Sequence, residues 1–163
     1  MKPIVIVSAI KEEIQDFLDY FKQVKIKKND NFITYHTNYH STPVILATSG
    51  VGKVSAAMTT QYLINKFEPE IILFTGIAGA LNSTYEIGNI IIANTCIQYD
   101  IDASELGFSP GTIPYTDYKT FSSDHKLLDL AKKIKTKNAI HFGKILTGDQ
   151  FISHKKRINY QHL

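Results

Sequence analysis

The sequence predicts an α/β fold with a largely parallel or mixed sheet. Short apolar runs alternate along the chain with segments of helical periodicity, an order typical of sheets covered by helices. Two of these runs, Pro43–Thr48 and Ile71–Phe74, each lead directly into a loop of small residues. Open α/β sheets bind ligands at the carboxyl ends of their strands, where small residues let a ligand approach the backbone closely. The two loops together therefore predict a shared pocket.

The predicted strands are apolar runs bounded by turn-forming or charged residues. They are Ile4–Ser8, Phe32–Thr37, Val44–Thr48, Ile71–Phe74, Ile87–Ala93 and His141–Leu146. Because Ile71–Phe74 is uniformly apolar, we expect it to be buried on both faces of the sheet.

Helical spacing of apolar residues predicts three helices. They are Glu12–Phe21, Val54–Phe67 and Asp124–Ile134. Pro69 follows the second helix and cannot continue it. Ser122 or Ser123 is the expected N-cap of the third helix. Gly107–Tyr118 is rich in Gly, Pro, Ser and Thr, which predicts a long, functional loop. The final segment, Ser153–Leu163, is polar and basic and begins like a helix.

Composition and charge are those of an ordinary globular protein. The length fits one domain, residues 1–163, and a hydrophobic content of 44% supports a real core. A net charge of +3 is too small to imply nucleic-acid binding. Part of this charge comes from four lysines near one predicted helix end, which we interpret as a solvated face. They are Lys22, Lys25, Lys27 and Lys28.

Cys96 is the only cysteine, which excludes an intrachain disulfide and a cysteine-based zinc site. We expect it to be a small core residue. The apolar run Ile4–Ile10 ends at charged residues without a small-residue cleavage site, so we expect a strand and not a signal peptide. No run has the length needed to span a membrane. These features favour a reducing cytoplasm.

The first small-residue loop is similar to a nucleotide phosphate loop in its Gly52-Lys53 pair. The full pattern requires a glycine five positions before Gly52 and a Ser or Thr after the lysine, where Ala47 and Val54 stand. The second loop, Thr75–Ala80, lacks the glycine spacing of a dinucleotide fold. Tight packing turns are the alternative interpretation of both loops.

Glu12 and Glu13 lie where the first strand turns into the first helix. A carboxylate is stabilised at a helix N-terminus, so capping electrostatics is one explanation of the pair. The other is a general base at the sheet edge, with one glutamate capping and its neighbour facing the pocket. Phe151 also has two interpretations, a core residue or an aromatic face that stacks on a flat base.

Seven segments, taken together, resemble the nucleoside phosphorylase/nucleosidase family. They are Ile4–Ile14 (IVIVSAIKEEI), Thr48–Ala57 (TSGVGKVSAA), Lys66–Ala80 (KFEPEIILFTGIAGA), Glu86–Ala93 (EIGNIIIA), Tyr99–Asp102 (YDID), Leu106–Pro114 (LGFSPGTIP) and Thr147–Ile152 (TGDQFI). Each is weak alone, whereas seven in family order over essentially the whole chain are specific. The resemblance implies a three-layer αβα fold with a central mixed sheet. It also implies hydrolysis of an adenine nucleoside's N-glycosidic bond, as in the branch that acts on 5'-methylthioadenosine and S-adenosylhomocysteine, with no cofactor or metal.

The resemblance further implies roles for individual positions. Glu13 matches the family's water-activating acid. The implied substrate contacts are Ile10, Val51 and Ile77 beside the sugar and its 5'-alkylthio group, Gly79 in a contacting loop, Phe151 stacked on adenine and Ile152 reading the adenine edge through its backbone. Ile77 departs from the small polar serine often found at its position. Ala103, Leu106 and Pro114 match positions that reach a neighbouring subunit's pocket in a homodimer.

Two family features are expected after Ile152 and do not occur before the sequence ends at Leu163. One is a Met-Glu pair whose glutamate grips the ribose hydroxyls, and the other is an aspartate that protonates the purine. We therefore expect an incomplete family domain with no measurable hydrolysis, which either folds weakly or is stable only as an oligomer. The alternatives are a non-catalytic adenine-binding or dimerising remnant and a related purine nucleoside phosphorylase.

Overall fold

The strands of the computed structural model, which describes residues 1–152, are divided between two sheets. The strands are β1 (Ile4–Ser8), β2 (Lys25–Asn29), β3 (Phe32–Tyr39), β4 (Thr42–Thr48), β5 (Ile71–Phe74), β6 (Ile90–Gln98), β7 (Phe121–Ser122) and β8 (Ile140–Thr147). The helices are α1 (Gln15–Tyr20), α2 (Lys53–Phe67) and α3 (His125–Ala131), with short 3₁₀ helices at Lys11–Ile14 and Ser104–Leu106. The chain forms two compact units, one of residues 1–78 and one that begins at Gly79.

The first unit contains a five-stranded mixed sheet in the order β2-β3-β4-β1-β5. Strand β1 lies in the middle of a parallel set, because it pairs in parallel with β4 on one side and with β5 on the other. Strands β2, β3 and β4 form an antiparallel meander. The carboxyl ends of β1, β4 and β5 therefore meet at one edge of the sheet.

Alternation along the two central strands gives this sheet two buried faces. Val5 and Val7 of β1 belong to a core cluster that includes Leu63 of α2. Ile6 of β1 belongs to a second cluster on the other face, with Ile14 and the apolar side of α1. Helical segments thus cover both faces of the sheet, which gives the predicted three-layer αβα arrangement within this unit.

The second unit contains a three-stranded sheet in which β6 pairs in parallel with β8 and antiparallel with the short strand β7. Strand β6 starts at Ile90, three residues later than predicted, because Asn89 still belongs to a turn closed by a hydrogen bond to Glu86. The segment 107–118 contains no helix or strand, as its composition predicts.

The α/β class is confirmed, and two further local predictions are corrected. The first helix does not run from Glu12 to Phe21, because it opens as a 3₁₀ helix whose Glu13 carboxylate binds the preceding backbone amides. Neither predicted serine caps α3. Asp124 does so by accepting a hydrogen bond from the Leu127 amide at 3.0 Å, while the Ser123 hydroxyl donates to the Ala93 carbonyl at 2.7 Å.

One prediction about exposure is also corrected. Strand β5 is an edge strand of its sheet, so Leu73 and Phe74 are exposed and not buried on both faces. The lysine-rich segment is solvated as expected, with Lys22 following α1 and the other three lysines in the edge strand β2. Lysines on an edge strand discourage pairing with other chains. The predicted helix start at Ser153–Leu163 lies outside the described residues.

Truncating the buried side chain at the centre of the α2 interface should weaken the first unit. Leu63 is fully buried, so we expect Leu63→Ala to lower the free energy of unfolding by about 2 to 5 kcal/mol through lost packing and a residual cavity. Val54 lies on the same helix and is 72% exposed, so Val54→Ala should change the free energy of unfolding by less than about 0.5 kcal/mol. Urea titrations followed by circular dichroism measure both values, and similar losses in the two variants would contradict this packing.

Candidate active site

The loops that follow β1, β4 and β5 are joined by backbone hydrogen bonds at the shared edge of the five-stranded sheet. The Ser49 amide donates to the Ser8 carbonyl at 2.8 Å, and the Gly50 amide donates to the Ala9 carbonyl at 3.0 Å. On the other side of β1, the Thr75 amide donates to the Val7 carbonyl at 2.9 Å. The parallel ladders therefore continue past the strand ends, and the two small-residue loops flank the turn that carries Glu13.

The Glu13 carboxylate binds three backbone amides at this edge. Its Oε2 atom accepts hydrogen bonds from the amides of Ala9 at 2.9 Å and Ile10 at 3.1 Å. Its Oε1 atom accepts one from the Ile77 amide of the β5 loop at 2.9 Å. Glu13 thus caps its own turn and bridges to the neighbouring loop, whereas the side chain of Glu12 is exposed. Of the two interpretations that the sequence left open, capping of the turn therefore applies to Glu13.

Gly76 lets the β5 loop approach this carboxylate. A β-carbon built at position 76 would lie 3.0 Å from Glu13 Oε1 and 3.1 Å from Phe74 Cε1. Both distances are shorter than ordinary van der Waals contact, so any larger residue requires a shift of the carboxylate or of the ring. The small residue predicted from the sequence is required here by close approach.

Three aliphatic side chains in the loops at this sheet edge are exposed to solvent. Ile10 is 41% exposed, Val51 is 78% exposed and Ile77 is 88% exposed. Each belongs to one of the three loops at the shared edge. Of the residues implied by the family resemblance, Ile10 and Ile77 contact Glu13 through their amides, and Val51 lies in the adjoining β4 loop. Exposed apolar groups around a few placed polar atoms are typical of ligand sites.

In the second unit, the segment that leads to Phe151 is held against the end of β6. A β-carbon at Gly148 would lie 2.5 Å from Tyr99 Cε1, so only glycine fits beside this ring. The Asp149 amide donates to Asp100 Oδ2 at 2.9 Å. Beyond these contacts Phe151 is 97% exposed, so within the described residues it is not the core residue that one interpretation of the sequence offered.

The other implied positions also lie in the second unit. Gly79 has open space around the position of a β-carbon, with no atom within 4 Å. Ile152 is half-buried. Ala103 and Pro114 are half-buried as well, and Leu106 is 64% exposed at the end of a 3₁₀ helix. These are surface or near-surface positions, and none belongs to the buried core of the described residues.

Sequence reasoning missed the backbone donors and Ser8. Nothing in the side-chain pattern indicates that the amide of Ile77 faces Glu13, since every residue except proline carries that donor. Ser8 ends an apolar strand and is fully buried, with its Oγ donating to the Ile10 carbonyl at 2.8 Å. A polar residue at the carboxyl end of a buried strand is the signal that identifies it.

A cavity of about 310 Å³ lies beside the β4 loop, between α2 and the turn that joins β2 to β3. Hydroxyl groups of Ser49, Ser55 and Thr59 line it together with Met58. Glu13 is not part of its lining. This cavity is therefore separate from the Glu13 carboxylate. It lies beside the β4 loop, which is one of the three loops at the sheet edge.

Other site types find little support in residues 1–152. No three His, Cys, Asp or Glu side chains of that part come close enough together to hold a metal ion. Within the same stretch, every helix is too short or too polar to cross a membrane. Cys96 is half-buried, and burial raises the pKa of its thiol, which keeps it in the less reactive protonated form.

Comparison with known proteins identifies the family. A model of the phosphorylase superfamily matches residues 3–160. The chain belongs to this superfamily. A 5'-methylthioadenosine/S-adenosylhomocysteine nucleosidase of Buchnera aphidicola is 38% identical over 150 residues, which are 90% of this chain and 63% of the relative. An aminodeoxyfutalosine nucleosidase of Campylobacter jejuni is 35% identical over 93% of this chain and 67% of its own length.

Solved structures of the superfamily confirm the fold. A mutant nucleosidase of Helicobacter pylori with 5'-methylthioadenosine in its active site superposes with a TM-score of 0.89. It is 31% identical in sequence, and the match covers 95% of this chain and 68% of that one. The first curated relatives are longer than this chain, which spans 63% to 65% of their length. The resemblance predicted from seven sequence segments is confirmed.

Replacing Gly76 should disturb the bond between Glu13 and the β5 loop. We expect Gly76→Ala to move the carboxylate away from the Ile77 amide, because the added methyl group would lie too close to Oε1. Loss of this hydrogen bond should accelerate exchange of the Ile77 amide proton about tenfold, as measured by NMR. Gly79→Ala, at a position with open space, should leave this exchange unchanged. Equal exchange rates in the two variants would show that Gly76 does not control the contact.

Proposed function

We propose that this chain carries the water-activating half of a nucleosidase that hydrolyses 5'-methylthioadenosine or S-adenosylhomocysteine and releases adenine. The observation that supports this most strongly is the Glu13 carboxylate, bound by three backbone amides at the carboxyl ends of three parallel strands. Ligand sites of α/β sheets lie at such edges. The relatives whose names include these two nucleosides add independent support.

The proposed step breaks the bond between the sugar's anomeric carbon and the purine nitrogen. The electron pair of that bond leaves with adenine, which takes up a proton from the aspartate that the family resemblance implies after Ile152, and the sugar carbon develops positive charge. A water oxygen then forms the new bond to this carbon and gives one proton to the Glu13 carboxylate. The paired acid and base resemble those of glycoside hydrolysis. The reaction consumes one water and yields adenine and the free alkylthioribose.

The hydrogen bonds of Glu13 indicate which oxygen accepts the proton. A carboxylate offers about four acceptor positions, two on each oxygen. Oε2 is occupied by two amides, whereas among residues 1–152 Oε1 accepts only from the Ile77 amide. Oε1 therefore keeps one acceptor position for a water molecule, and the half-buried setting of Glu13 leaves water access to it. We assign Oε1 as the atom that binds and deprotonates the attacking water.

The remaining roles follow the family resemblance. Ile10, Val51 and Ile77 provide apolar surface for the sugar and its 5'-alkylthio group, and this surface suits a thioether better than a charged substituent. Phe151 stacks on adenine, with further contacts from Gly79 and the Ile152 backbone. In the proposed homodimer, Ala103, Leu106 and Pro114 contribute to the neighbouring subunit's pocket. The enzyme acts as a single domain in the cytoplasm without cofactor or metal.

A phosphorylase is the competing activity within the same superfamily. Such an enzyme must bind inorganic phosphate as its second substrate, for which arginine is the favoured side chain. The only arginine in the sequence is Arg157, which lies outside the described residues, and the segments 1–152 that form the sheet edge contain none. Water is therefore the better-supported nucleophile.

Charge removal at Glu13 should abolish turnover without preventing binding. A glutamine there has one acceptor oxygen, and its NH₂ group would face backbone donors. We expect Glu13→Gln in the full-length gene product to lower kcat for adenine release by about a hundredfold or more, with KM largely unchanged. Glu12→Gln removes an equal charge from the exposed neighbour and should change kcat by less than about threefold. Equal effects from both would show that Glu13 is not the base.

The choice between water and phosphate has its own measurement. Adenine release from 5'-methylthioadenosine by the full-length gene product should be the same with and without inorganic phosphate. The sugar product, identified by mass spectrometry, should be the free methylthioribose. Formation of a ribose 1-phosphate that requires added phosphate would instead establish a phosphorylase.

A further inference from the structure

Ser8 has a buried hydroxyl that the family resemblance does not use. It is the last residue of β1, is fully buried, and directly precedes the turn that carries Glu13. Its Oγ donates to the Ile10 carbonyl at 2.8 Å. The amide of the same Ile10 donates to Glu13 Oε2. Ile10 thus accepts a hydrogen bond from Ser8 through its carbonyl and donates one to Glu13 through its amide.

We propose that Ser8 is a positioning residue for Glu13, whose hydroxyl fixes the Ile10 peptide groups and thereby the placement of the carboxylate between the β1 and β5 loops. The chemical consequence rests on the proposed function, whereas the placement itself does not. Ser8 touches neither substrate nor the attacking water in this proposal, and it acts through Ile10.

The hydroxyl is the stronger restraint on this carbonyl. The only other bond to the Ile10 carbonyl among the described residues comes from the Glu13 amide at 3.3 Å, which is half an ångström longer. Ile10 is in an extended conformation, so the turn tightens only after it. Without the Ser8 hydroxyl, the start of the turn would depend on the longer bond and on the carboxylate itself.

The Ser8 backbone is anchored independently from the neighbouring strand. Its carbonyl accepts from the Ser49 amide at 2.8 Å and from Ser49 Oγ at 3.2 Å. Ser49 is buried, and its own carbonyl accepts from Thr59 Oγ1 at 3.4 Å. Ser8 therefore transmits a fixed position from the β4 loop and α2 to the turn that holds Glu13. Among the described residues, the Ser8 hydroxyl is the only side-chain group that links the anchored Ser8 backbone to the Ile10 carbonyl.

Amide hydrogen exchange tests the inference without requiring turnover. The reporters are the amides of Ile10 and Ile77, which both bind Glu13, and the reference is Leu46 in the centre of the sheet. We expect Ser8→Ala to accelerate exchange of the two reporters about tenfold more than that of Leu46, and Ser8→Thr to restore their protection. A merely structural loss would accelerate all three amides together.

Thr34→Val is the matched control. Thr34 is a buried residue of β3 whose hydroxyl hydrogen-bonds with His36 at 2.9 Å, away from the three loops. Removal of the Thr34 hydroxyl should lower the overall stability, so that exchange of the two reporter amides and of the Leu46 amide changes by the same factor. If Ser8→Ala behaves in the same way as this control, the positioning role is wrong.

Turnover provides the second readout. In the full-length gene product, Ser8→Ala should lower kcat for adenine release about tenfold while KM changes less than about twofold, because a misplaced base affects the chemical step more than binding. A rise in KM with kcat unchanged would overturn the inference. If the unsubstituted protein releases no adenine, the proposed function fails, whereas the exchange experiment still decides the role of Ser8.

Discussion

Parallel pairing of β1 with both β4 and β5 is the constraint on which the rest of this site depends. A strand in the middle of a parallel set ends at the same edge as its two neighbours, so three loops converge without any special contact. The backbone bonds of Ser49, Gly50 and Thr75 extend this pairing past the strands. Glu13 is then within reach of the Ile77 amide, a donor that lies far away in the sequence.

The carboxylate depends on backbone groups more than on side chains. Three amides bind its oxygens, and these amides come from its own turn and from the β5 loop. Backbone donors on a sheet edge are rigid, and they need no reorganisation to bind an anion. Their approach requires small neighbours, because a β-carbon at position 76 would lie only 3.0 Å from Glu13 Oε1. Binding of the carboxylate by backbone amides and close packing of the β5 loop thus both favour a small residue at position 76.

Much of the fold could be predicted because it follows from local patterns. β1 occupies the predicted residues, and α2 begins only one residue earlier than predicted, since continuous apolar runs and helical spacing are strong signals. The position of β2 was missed because a lysine-rich edge strand has no buried face to produce a pattern. The cap of α3 was misplaced by one or two residues, since serine and aspartate are both good caps and a tertiary contact to Ala93 engages Ser123.

The site could be predicted only in part. Glu13 and the small-residue loops were found because family segments and strand-loop order are visible in sequence. The amide of Ile77 and the hydroxyl of Ser8 were not, because their roles depend on which strands become neighbours. Long-range pairing of this kind is decided by the whole sheet, and a single sequence contains no local sign of it.

The contact between Glu13 and position 77 runs through the main chain, and this separates two properties that an enzyme must adjust. The donor is present whatever side chain follows it, with proline as the exception. The Ile77 side chain projects into solvent and can change in size or polarity without removing that donor. Substitution at this position can therefore change the exposed surface of the β5 loop while the anchoring of the Glu13 carboxylate persists. An architecture of this kind lets surface chemistry vary without loss of the buried framework behind it.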